Sequence, residues 1–96
     1  MLFTKTPLEA AEAVGRRVQR LRLQRNITQA ELAERAGISR PTLGALERHG
    51  KATVETLARV MYALGRDAEL DQLLPPDPPS TLTEAVTPST RKRARG

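Results

Sequence analysis

Between Thr28 and Gly65 the chain repeats one pattern three times: a hydroxyl residue, a short run with apolar residues three and four apart, then a glycine. The first run opens with Thr28-Gln29-Ala30-Glu31, carries Leu32, Ala33 and Ala36, and stops at Gly37. The second opens at Ser39 with Pro41 in its first turn, carries Leu43 and Leu46, and stops at His49-Gly50. The third opens at Thr53, carries Leu57, Val60, Met61 and Leu64, and stops at Gly65. A Ser or Thr hydroxyl at the start accepts an otherwise unpaired helix amide, and Glu three residues later completes a capping box. Glycine ends the run because it takes positive φ without a Cβ clash. The pattern commits this stretch to short helices.

Two more helices flank it. Thr6-Pro7-Leu8-Glu9 is a capping box with proline at the first helical position, and the following run sets Val14, Val18 and Leu21 on one face. This helix is expected to end near Asn26, which tolerates the left-handed conformation. Asp67 is expected to cap a fifth helix running to Leu74. Residues 6–74 therefore read as one all-α, five-helix unit, and residues 75–96 as a tail. The tail opens Pro75-Pro76-Asp77-Pro78-Pro79, which favours extended chain, and ends in the basic run Arg91-Lys92-Arg93-Ala94-Arg95. It is expected to be disordered when alone. Aromatics are only 2%, Phe3 and Tyr62, so the core must come from Leu, Val, Ile and Ala. A core this small gives a few kcal/mol, and dimerisation is an ordinary way to add to it.

The central pair carries the functional signal. Two short helices, Gln29 to Ala36 and Arg40 to Arg48, are joined by Gly37-Ile38-Ser39, the layout of a helix-turn-helix. Steep crossing requires a small residue, supplied by Ala33, while Ile38, Leu43 and Leu46 fill the wedge. Placed at about 100° per residue, Leu43, Leu46 and Glu47 share one side of the second helix. Arg40, Pro41, Gly44, Ala45 and Arg48 share the other. That second stripe has no acid and slim side chains, as a surface against DNA bases requires. Arg40 lies in the first turn, where arginine can pair with guanine, and Pro41 or Ala45 can touch a thymine methyl. Gly44 admits close approach; mid-helix glycine costs about 1 kcal/mol against alanine and wants such a reason. Gln29, Ser39, Thr42, Arg48 and Lys51 are the candidate phosphate contacts. Gln29 also reads as a plain capping position, Arg48 and Lys51 as solvated charge, and the whole stripe as a solvated face.

Arg22 and Glu47 form a separate case. Val14, Val18 and Arg22 are spaced by four, as are Leu43 and Glu47, so both charges face inward. Two opposite charges aimed into one small core should pair. A partly buried Arg22–Glu47 ion pair is expected to lock the first helix to the recognition helix.

Sixteen Lys and Arg against eleven Asp and Glu give a net charge of +5, which favours polyanions. With no cysteine there is neither a disulfide nor a thiolate metal site, which fits a reducing cytoplasm. No segment reads as a secretory leader or a membrane span. One histidine, no glycine-rich phosphate loop and no carboxylates at metal spacing point away from an enzyme, a metal or a cofactor. His49 sits at a helix end, where a cation is mildly favoured.

From Thr28 to Gly50 the residues TQAELAERAGISRPTLGALERHG resemble the helix-turn-helix of the Xre family, which includes the lambdoid phage repressors and Cro proteins. The resemblance extends over roughly Val14 to Leu74. It implies a five-helix lambda-repressor-like DNA-binding domain, commonly a dimer on an inverted repeat. It also implies Gln29 on a phosphate, Arg40, Pro41, Gly44 and Ala45 toward the bases, and a recurring arginine–glutamate pair. The family often has polar side chains where this chain has Pro41, Gly44 and Ala45, which shifts weight to Arg40 and to DNA shape. A short repressor with a C-terminal extension also resembles the HipB-like antitoxins, which repress their own operon and hold a kinase-like, HipA-type toxin.

The expected function is a sequence-specific transcriptional repressor: a homodimer on double-stranded DNA, autoregulatory, with the antitoxin as alternative. Leu70, Leu73 and Leu74 exceed what one short helix buries, so the first and fifth helices are candidate dimer elements. The basic tail reads as a nonspecific DNA grip, a docking segment with Leu82 and Val86 as anchors, or a solubilising end.

Overall fold

A computed structural model describes residues 6–79. It contains five helices: α1 (Pro7–Gln24), α2 (Gln29–Ala36), α3 (Arg40–His49), α4 (Val54–Ala63) and α5 (Asp67–Asp71). No strand occurs among the described residues. Phe3, Leu82, Val86 and the basic run Arg91 to Arg95 lie outside them.

The caps set the helix starts. The Thr6 hydroxyl accepts from Glu9 N at 3.1 Å while Glu9 accepts from Thr6 N at 3.0 Å. Thr28 and Glu31 repeat the exchange at 3.0 and 2.8 Å. Ser39 and Thr53 cap α3 and α4 through the amides of Thr42 and Thr56. Asn26 follows α1 with φ 55°, and Gly37 follows α2 with φ 72°.

The fifth helix departs from the expectation. It stops at Asp71, and its N-cap position is Arg66, which makes no side-chain cap, so Asp67 is the first helical residue. Leu74 does not continue it; its φ is 55°. Pro75 keeps a helix from continuing through Leu74, because the residue before proline is driven out of the right-handed helical region; the left-handed φ is not the extended one that proline favours.

Helix α1 packs on α3, α2 packs on both α3 and α4, and α5 rests on α4. The core joins Val18, Ile27, Leu32, Ala33, Ala36, Leu43, Leu46, Val60 and Leu64, with Leu21, Ile38 and Leu57 against its edge. Val14, expected inward with Val18, is only half-buried. Helices α1 and α3 approach unusually closely. A Cβ on Gly15 would stand 2.1 Å from the Leu46 carbonyl oxygen, and one on Gly50 would stand 2.2 Å from that of Ala11. Only glycine at both places allows this backbone contact, and it fixes α3 against the longest helix. None of the described helices is long and apolar enough to cross a membrane.

Candidate nucleic-acid interface

The turn between α2 and α3 follows from three residues. Gly37 takes the left-handed conformation, Ile38 donates its amide to the Ala33 carbonyl at 3.0 Å, and Ser39 caps the next helix. Ala33 at the crossing is buried, and Leu43 and Leu46 turn inward beneath it. This leaves the start of α3 projecting. Ser39, Arg40 and Pro41 are exposed, and so are Arg48 and Lys51 at its far end. Thr42 and Ala45 are half-buried between them. No acid lies in the first turn of α3, and its last turn holds Arg48 and His49.

Gly44 is buried although it shares the outward stripe. A Cβ built there would meet Arg48 Nη2 at 3.4 Å and nothing else beyond its own neighbours and helix backbone. The position therefore points out of the fold, beneath the end of a flexible arginine. The Ser39 and Thr42 hydroxyls pair with one another at 2.7 Å, so each is positioned at the entrance to the helix.

Behind the exposed edge lies an ion pair that fixes its angle. Arg22 Nε donates to Glu47 Oε2 at 2.7 Å and Nη2 to Oε1 at 3.1 Å, a bidentate fork. Both side chains are nearly sealed from solvent, at 9% and 1% exposure. Two further bonds were not read from the sequence. Arg22 Nη1 donates to the Ile27 carbonyl at 2.8 Å, and Gln29 Nε2 donates to Glu47 Oε1 at 2.9 Å. One buried network thus joins α1, the α1–α2 loop, the first residue of α2 and the third turn of α3. Gln29, a candidate phosphate contact, has its side-chain amide engaged inside the protein. Its backbone amide and that of Ala30 belong to the first turn of α2, where helix amides have no intrahelical acceptor. The sequence signals for these two bonds are faint: a carbonyl carries no residue signature, and Gln29 declares itself only once α2 is placed beside α3.

The α2 start is also electrostatically set. Backbone and hydroxyl hydrogen bonds from Thr28, with Arg35 nearby, hold the Glu31 carboxyl below its ordinary value. The capping box is therefore ionised at neutral pH. Among the described residues no group of His, Asp and Glu is arranged to hold a metal ion.

The arrangement offers duplex DNA a narrow edge with a cation at each end, small side chains between, and a rigid support behind. A family model described as helix-turn-helix matches residues 18–70, just over half of the 96-residue chain. Comparison with curated proteins returns no match. The matched stretch runs from the core Val18 of α1 through the network, the turn and α3 to Leu70 of α5. The chain belongs to the Xre, or lambda-repressor-like, helix-turn-helix family of DNA-binding transcription regulators.

Proposed function

We propose that the protein is a sequence-specific transcriptional repressor that binds an inverted-repeat operator as a homodimer and controls its own expression. The observation that carries this reading is the exposed, acid-free start of α3, with Arg40 at its first position and Pro41 beside it. Arg40 is the base-reading cation, donating to guanine O6 and N7 in the major groove. Pro41 and Ala45 supply apolar contact, and the covered Gly44 keeps the helix slim where it meets the base edges. Ser39, Thr42, Arg48, Lys51 and the α2 amides at Gln29 hold the flanking phosphates and fix the register. A dimer sets two such helices about 34–36 Å apart, one turn of DNA. Occupancy of a promoter by this unit excludes the polymerase sterically, so repression is the output.

Footprinting on the DNA upstream of the protein's own gene tests the reading. The expected result is a protected site with two-fold symmetry, lost with Arg40→Ala at unchanged melting temperature. Uniform protection without a preferred site would contradict it.

A further inference from the structure

Arg48 is the ninth residue of α3, near its far end, yet its guanidinium does not extend past that end. It lies back over Gly44. A Cβ built on Gly44 would stand 3.4 Å from Arg48 Nη2, with no other group from outside the local backbone within reach. Gly44 is buried beneath it, while Arg40 and Arg48, four residues to either side, are exposed. Arg48 is in no ion pair among the described residues. The one acid of α3, Glu47, is already taken by Arg22 and Gln29.

The arrangement follows from helix geometry. Helical side chains lean toward the N-terminus and cover the turn before their own. The turn before Arg48 offers a glycine, so the seat is open down to the helix surface. At about 100° per residue the outward stripe runs in the order Arg40, Gly44, Arg48, Pro41, Ala45. Arg48 therefore stands in the middle of the base-facing stripe rather than at its border. Its donors are unspent, and a guanidinium has five of them in a planar fork.

We infer that Arg48 is a second base-reading residue, pairing with O6 and N7 of a guanine in the major groove. The inference rests on the repressor reading above and adds base readout to the phosphate contact given there. Arg40 and Arg48 stand eight residues apart, about 12 Å along the helix, against a base-pair spacing of about 3.4 Å. The two arginines thus read different base pairs of one half-site.

The test is fluorescence anisotropy of the full chain on the footprinted operator and on duplexes carrying each single base-pair change, with melting temperature as the folding control. Arg48→Lys keeps the charge and loses the planar fork. It should flatten the preference at one base pair of each half-site about tenfold, with salt slope and melting temperature unchanged. Arg40→Ala should flatten a different pair. Arg48→Ala should lose the same preference as Arg48→Lys and lower the salt slope by about one per subunit as well. An Arg48→Lys chain that keeps the wild-type preference at every position, or weakens on all sequences alike, makes Arg48 a phosphate contact only. That result overturns the inference and leaves the repressor reading in place. A wild-type chain with no preferred site overturns both.

Discussion

One carboxylate, that of Glu47, accepts three hydrogen bonds from two side chains and is almost wholly buried. Replacing it with alanine strands the Arg22 guanidinium in the interior with only the Ile27 carbonyl left to it. Glu47→Ala should lower stability by about 3–5 kcal/mol, read as a fall in melting temperature. Gly15 gives a second prediction, of opposite sign to the usual rule. Glycine to alanine inside a helix ordinarily stabilises by about 1 kcal/mol. Here the new Cβ would strike the Leu46 carbonyl, which is backbone and cannot swing aside. Gly15→Ala should therefore destabilise by about 1–3 kcal/mol in denaturant titration, with α1 pushed off α3. The spacing of inward residues makes the Arg22–Glu47 pairing legible in the chain alone. Gly15 is not, because a mid-helix glycine gains its meaning only when α3 is set against α1. The Ile27 and Gln29 bonds are equally hidden, because they depend on how three elements meet.

At the scale of elements, the caps and stops wrote four of the five helices, since each depends on residues within one turn. The fifth ends at Asp71, three residues short of the expected Leu74. Pro75 keeps Leu74 out of the helix, while nothing in the residue pattern marks the stop at Asp71. Helix α2 gives a pH prediction. Glu31 is held below its ordinary value of 4.5 by the Thr28 hydrogen bonds and by Arg35. A depressed carboxyl contributes stability that is present above the ordinary value and lost as pH falls through the folded one. Wild type should thus lose more stability than Glu31→Gln as pH falls below about 5, compared by acid titration of helicity. Equal acid profiles would remove the charged cap from the account.

For the whole molecule, two features lie on different helices of the folded unit. One side presents the α3 edge, and the side formed by α1, α4 and α5 carries an apolar groove. Such a protein should bind DNA less tightly as salt rises, through release of phosphate counterions. Lys51→Ala should weaken binding to all sequences alike and reduce the salt slope by about one per subunit, measured by fluorescence anisotropy. The groove was only partly legible in the sequence. Surplus leucines pointed to a dimer element, while the walls of the groove come together only when the fold sets the three helices around it.

The central claim is that Arg40, at the exposed start of α3, reads a base. The most direct measurement is the ratio of affinities for operator and scrambled DNA at fixed salt, for wild type and Arg40→Ala. Wild type should prefer the operator, and Arg40→Ala should lose about 1–3 kcal/mol of that preference per half-site while keeping its melting temperature. An alanine variant that discriminates as well as wild type would contradict the account.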